Sequence, residues 1–323
     1  MSALLPAVIT FAVACLWVML ASWLDRHGSE PLPRLGGLMV LGCGAGAAWV
    51  WAGSAVWLAP WPPAGTGLDD PAALVRATLV LAAAGALVGV LLLVVARGCP
   101  TDGPSSGAMA GLVSGAAVAL GRAAGVPLLD LTGVTAPRPL VEALLLAHIG
   151  AWIGLGIGFA RLSLRWPVRV ARVAGALAIS VAGGLAVNAA LGCDAVTEGK
   201  AWWAAAIAVG VGLLAVLAVP AGFALEGRII ARQLAEEVAY GVLTTDLATV
   251  AVSPLRRMRR GWWQRRDERR AVSRLLVDLA FWKQRLVGLD EVRTRVFGLE
   301  VGRLRQRLRR LLSADGVVRG EGA

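Results

Sequence analysis

Seven long apolar runs follow one another through the first two thirds of the chain, and they constrain the fold more than any other feature. They cover about 3–24, 36–59, 77–96, 107–126, 139–163, 173–192 and 201–225. A helix that crosses the hydrocarbon layer of a bilayer needs about 20 mostly apolar residues, so each run reads as a membrane span. Of the 323 residues, 57% are hydrophobic and only 16% charged. A soluble domain carries about a quarter charged residues, which argues against a soluble enzyme and against a disordered chain. The runs are unbroken rather than alternating, which argues against a lipid-facing barrel. The expected fold is all-α: a polytopic helical membrane protein of about seven transmembrane helices.

Charge divides the chain. Residues 1–225 hold 11 Lys and Arg against 9 Asp and Glu, whereas residues 226–323 hold 21 against 12. The expected organisation is a membrane bundle over 1–225 and a basic helical tail over 226–323. Basic residues near span ends mark the cytoplasmic side. Arg26 and Arg34 follow the first span, and Arg161, Arg165, Arg169 and Arg172 follow the fifth. Together with the tail they place the N-terminus outside and the tail in the cytoplasm. The first run lacks a basic leader and exceeds 20 residues, so it reads as a retained span. Cys15, Cys43, Cys99 and Cys193 are too dispersed for a zinc knuckle or a disulfide framework.

In the tail, Glu226 to Tyr240 reads as a helix that Gly241 stops. Arg256, Arg257, Arg259, Arg260, Arg265 and Arg266 surround Trp262 and Trp263. That pattern fits contact with anionic lipid, and no nucleic-acid partner is expected. Leu275, Leu279, Trp282 and Leu286 form one apolar stripe at helical spacing. Phe297, Val301, Leu304, Leu308 and Leu311 form a second, with Asp290 as a cap between them. These predict a helical hairpin, with self-association possible through 297–311. Glu236 and Glu237 read as a solvated face.

Within the spans, Gly107, Gly111 and Gly115 recur every four residues, as do Gly150, Gly154 and Gly158. Small residues at that spacing let helices approach closely in lipid. Ionisable residues in spans face the interior by default; Arg122, Glu142 and His148, with Asn188, form the expected buried polar cluster. Ser114 and His148 lie at roughly one depth, and a Ser–His dyad is the candidate nucleophile pair. HExxH is absent. Gly103, Pro104, Ser105, Ser106 and Gly107 fit GxSxG only formally, because the motif needs a strand–turn–helix context.

The order of these landmarks resembles the PrsW-type intramembrane metalloproteases. Asp25 to Pro31, with Glu30 and Pro31, is similar to that family's loop after the first span. Asp102 to Gly107, continuing through Gly111 and Gly115, resembles its entry to a glycine-rich span, and His148 with Gly154 and Gly158 its histidine span. Arg228 to Leu234, Tyr240 to Thr245 and Asp278 to Phe281 resemble tail segments of some members. The resemblance implies a multi-span helical fold and metal-dependent cleavage of membrane proteins. The chain departs from the family at its signature. The paired glutamates fall near Ala83 and Ala84, their lysine near Leu87, and the later Glu and Asn on Arg122 and Ala123, or the Glu on Val118 in a shifted register. Of the implied ligand and acid–base set only His148 remains, whereas a hydrolytic metal site takes about three protein ligands. The expectation is a catalytically degenerate member, a pseudoenzyme without cofactor, in which an Arg122–Glu142 pair fills the former metal site. It would bind membrane-protein partners through the groove between the fourth and fifth spans. An active peptidase, holding zinc at His148 with ligands foreign to the family or using Ser114, is the alternative. A small-solute transporter is the third.

Overall fold

The computed structural model describes residues 32–55, 71–98, 103–128, 137–191, 201–253, 256–257, 266–287, 289 and 291–314, with Cys15 and Met19 as isolated helical positions. The first apolar run, the Asp25–Pro31 loop, Asp102, Asp290 and most of the Arg/Trp stretch lie outside these residues. The described residues form nine helices and no strand: α1 Leu32–Ala55, α2 Pro71–Gly98, α3 Pro104–Leu128, α4 Pro137–Ala160, α5 Trp166–Leu191, α6 Ala201–Ala239, α7 Thr245–Val252, α8 Arg266–Leu286 and α9 Glu291–Ala314.

Proline sets several of the starts. Pro71, Pro104 and Pro137 open α2, α3 and α4, and Pro167 is the second residue of α5. A proline costs a helix nothing in its first turn, where its missing N–H would have no partner anyway. Thr244 caps α7, its side chain accepting from the Leu247 N–H at 3.4 Å. The end of α6 is fixed by Gly241 at φ +66°. There Gly241 donates to the Val238 carbonyl at 3.0 Å and Val242 to the Glu237 carbonyl at 2.9 Å. A left-handed residue just past a helix closes it in this way, and glycine adopts that conformation without strain.

Among the described residues, four stretches are long and apolar enough to cross a membrane: Pro104–Ala124, Ala143–Ala160, Trp166–Val187 and Val209–Ala239. Shorter apolar stretches fall in α1 and α2, at Gly36–Val50 and Thr78–Val94. This is the architecture of a helical membrane protein. The stretches in α3 and α4 are 78% and 83% buried, against 22% and 33% for those in α5 and α6. So α3 and α4 are the inner pair, and α1, α2, α5 and α6 surround it.

The inner pair meets backbone to backbone. A Cβ on Gly107, Gly111 or Gly115 would fall on the carbonyl of Gly154, Gly150 or Leu146, and one on Gly158 would fall on that of Gly103. The seam is closed along these turns, with no room for a further side chain between the two backbones. The other side of α3 holds α1 equally closely. A Cβ on Gly121 would fall on the Cys43 carbonyl, and one on Gly46 on that of Val118.

Two element bounds depart from the sequence reading. α5 begins at Trp166, seven residues before the expected 173, because Pro167 sits in a first turn that tolerates it. α6 runs unbroken through residue 225 to Ala239; nothing between Phe223 and Arg232 breaks a helix, and a change from apolar to charged side chains does not end one. The bundle and tail therefore share one helix. At 1.5 Å per residue α6 is about 58 Å long, well beyond a hydrocarbon layer of about 30 Å.

Around the far end of α6 the tail has its own apolar core. Ile230 and Leu234 of α6, Leu247 and Ala251 of α7, Leu276 and Leu279 of α8, and Val301 and Leu308 of α9 are buried together. α8 and α9 pack as the expected hairpin, with Trp282 stacked on Phe297 at 6.1 Å between centroids. This buries Val301 and Leu308 of the 297–311 stripe within the chain and leaves Phe297, Leu304 and Leu311 partly covered.

Candidate functional site

His148 is 2% exposed and turns from α4 toward α5. A Cβ on Gly183 of α5 would fall against its Nε2. Trp152, one turn along α4, meets the ring edge-on at 6.4 Å. Neither ring nitrogen has a hydrogen-bond partner, and neither does the Ser114 hydroxyl, which is fully buried on α3. The Ser114–His148 dyad is therefore not formed. No group of three His, Cys, Asp or Glu side chains is gathered among the described residues. The wall at Nε2 is the glycine backbone of Gly183. Arg122 lies half-buried toward the end of α3. The side chains of Glu142 and Asn188 lie outside the described residues, as therefore does the expected pair with Arg122.

The structure assembles its buried polar chemistry where bundle meets tail. Glu226, 5% exposed on α6, accepts hydrogen bonds at one carboxylate oxygen from the Ser105 backbone N–H at 2.7 Å and from the Ser105 hydroxyl at 2.5 Å. Ser105 is the second residue of α3, so a carboxylate 121 residues away caps the inner helix and faces the positive end of its dipole. Gly103 lets the contact close, since a Cβ there would sit 2.6 Å from the Glu226 Oε1 and 2.9 Å from the Phe281 ring of α8. Arg257 stands beside Glu226; burial pushes its guanidinium pKa down and the Glu226 charge pushes it back up. From the bundle, Leu162 at the end of α4 inserts into the tail core at 1% exposure. The start of α3, the end of α4 and the exit of α6 thus gather at one end of the bundle, under the tail.

A second polar site ties the tail together. Glu237 is not a solvated residue; it is fully buried. Its Oε1 accepts from Lys283 of α8 at 2.8 Å, and both its oxygens accept from Arg305 of α9. Lys283 also donates to the Gln233 carbonyl at 2.9 Å and pairs with Glu236 at 2.7 Å, while the Glu236 side chain stays 63% exposed. α6 rises one residue per 1.5 Å, so Glu237 stands about 18 Å past Leu225, where the uncharged part of the helix ends. Among the expected lipid contacts, Arg256 is exposed and Arg257 is partly buried, near enough to Glu226 to feel its charge. Arg266 opens α8, and the others lie outside the described residues.

The Glu226 cap makes a direct prediction. Glu226→Ala strands a buried N–H and a buried hydroxyl, at about 2–3 kcal/mol for hydrogen bonds to a charged acceptor. Glu226→Gln keeps an acceptor and is expected to lose less than half of that. Melting of the detergent-solubilised protein, with hydrogen exchange of residues 103–110, reads both. An alanine variant that melts as the wild type would show that the cap stabilises nothing.

Comparison with protein-family models, curated proteins and solved structures finds no match to this chain.

Proposed function

We propose that this chain is a seven-span membrane protein with an outside N-terminus and a cytoplasmic basic tail, a catalytically degenerate relative of the PrsW-type metalloproteases that works by binding membrane-protein partners. The non-catalytic reading rests on the surroundings of His148. A metal-bound histidine has its second nitrogen oriented by a carboxylate or carbonyl and its first aimed at a shared centre with other ligands. Here both nitrogens meet apolar packing and Gly183. The topology is supported by the gathering of α3, α4 and α6 ends under the tail, as alternate crossings require.

The partner surface belongs on the outside of the bundle, because the α3–α4 seam is closed. α5 is the best-suited helix. Its outward side carries Ala174, Ala178, Ala182 and Ala186, all exposed and four residues apart, the spacing at which a second helix can approach closely.

The test is bound metal in detergent-purified full-length protein, wild type against His148→Ala, by elemental mass spectrometry. Neither protein is expected to carry stoichiometric zinc. Zinc near one per chain that disappears in the mutant would sink the non-catalytic reading and restore the peptidase.

A further inference from the structure

The outermost helices carry lipid-facing tracks that end in arginine at the same end of the bundle. On α6 the exposed side runs through Val209, Leu213, Leu217, Pro220 and Ala224 without a charge, then meets exposed Arg228 and Arg232. These arginines stand about 6 and 12 Å past Ala224 at 1.5 Å per residue. The headgroup layer on each side of a bilayer is about 5–7 Å deep, and an arginine stem can bend back toward it. On α5 the order is the same: exposed Arg165 comes first, then Trp166 at 73% exposure, then the apolar track through Val170 and Ala174.

A third element arrives at this level by folding back. α7 returns along α6, so that the Val252 carbonyl lies 3.2 Å from where a Cβ on Gly227 would sit. Exposed Arg256 follows four residues later, its N–H donating to the Ser253 hydroxyl at 3.4 Å. A residue about 30 positions beyond the apolar run is thereby brought back level with the run's end.

Five other described cations of this end are engaged within the protein. Arg169 donates to the Ser163 carbonyl at 2.5 Å, and Arg172 to that of Phe159 at 2.6 Å while covering the Phe159 ring at 3.8 Å. Arg257 is partly buried within the influence of the Glu226 charge, and Lys283 and Arg305 donate to Glu237. Thus the protein uses one set of cations on its own carbonyls and carboxylates. Arg165, Arg228, Arg232 and Arg256 are exposed just beyond the apolar tracks.

We infer that this exposed set binds the phosphate headgroups of anionic phospholipids, with Trp166 seated at the edge of the hydrocarbon. The inference rests on the membrane placement proposed above but not on the absence of catalysis. Tryptophan concentrates at the interface, and each arginine near an anionic surface favours binding about fivefold. A nucleic acid would call for a contiguous basic face with stacking aromatics; these arginines instead come from three elements and follow the end of the apolar surface.

The experiment uses full-length protein in detergent, offered equal amounts of phosphatidylglycerol and phosphatidylcholine, with retained lipid counted by native mass spectrometry. The wild type is expected to retain phosphatidylglycerol at least about tenfold over phosphatidylcholine. The variant R165Q/R228Q/R232Q/R256Q is expected to bring that ratio near one. Lysine at the same four positions keeps the preference, which separates headgroup charge from a lost fold. Equal retention by the wild type, an undiminished preference in the glutamine variant, or displacement of phosphatidylglycerol by a short RNA would each overturn the inference. The metal measurement bears on none of these outcomes, so the two readings can fail separately.

Discussion

Gly111→Val is expected to cost about 3 kcal/mol or more and to leave little monodisperse protein in detergent. Overpacking a well-packed site costs about 1–3 kcal/mol even when side chains can shift. Here the obstacle is backbone, because a Cβ on Gly111 falls on the Gly150 carbonyl and lies 3.0 Å from the Gly154 Cα. Neither can move without separating α3 from α4 along several turns. Gly107, Gly150 and Gly154 are held by the same reciprocal contacts, and valine at any of them is expected to do the same. Gly210 is the control. It lies on a helix with open space where a Cβ would go, and alanine there is expected to be neutral or to stabilise by up to about 1 kcal/mol. Thermal unfolding of the three proteins decides the matter. If the Gly111 variant melts with the wild type, the seam is not closed as described.

Glu237→Ala is the second large effect, and it should appear in the tail rather than the bundle. Removing one member of a buried ion pair costs about 3–5 kcal/mol, because the remaining charge stays buried without compensation. Lys283 keeps Glu236 at 2.7 Å, so the lower end of that range is expected. Glu236→Ala, which removes a largely exposed partner, should cost under about 1 kcal/mol. Hydrogen exchange would show faster opening of α8 and α9 in the first variant, with α3 and α4 unchanged. Exchange that is unaltered in α9 would mean that Arg305 and Lys283 do not depend on this carboxylate. Acid should open the same contact. Burial pushes the Glu237 pKa up, but hydrogen bonds and charge from Arg305 and Lys283 outweigh it and hold the carboxyl below its ordinary range. A group depressed in the fold contributes stability that is complete above its unfolded value, about 4.3 for glutamate, and is lost as pH falls through the folded value. The tail contact should therefore hold at neutral pH and weaken only below about pH 4.

These predictions also mark what was legible in the sequence. The apolar runs from 36–59 onward each coincide with a helix, because about 20 uninterrupted apolar residues leave a chain in lipid no other way to satisfy its backbone. The four-residue glycine spacing in α3 and α4 identified the inner pair, and the stripes at Leu275 and Phe297 identified the hairpin, since both are local periodicities. What was missed depends on partners far along the chain. Glu226 gives no local sign that it caps a helix starting 122 residues earlier. Glu237 looks solvated until Lys283 and Arg305, 46 and 68 residues on, are folded over it. Gly183 resembles any other small residue in a span, yet it forms the wall of His148. Gly241 marked the end of α6, but the join at Leu225 and Glu226 was read as a boundary because hydropathy reports where a helix leaves lipid and not whether it continues.

The continuity of α6 bears on how this protein can be divided or recombined. A cut at Leu225 looks natural from composition, but it would sever a helix in mid-course and remove the carboxylate that completes the first turn of α3. Leu162 would lose the pocket that shields it. A foreign tail grafted at that point would have to supply an acid for Ser105 and an apolar socket for Leu162, both in register with the emerging helix. The two parts are not interchangeable modules, and changes in either must remain matched to the other.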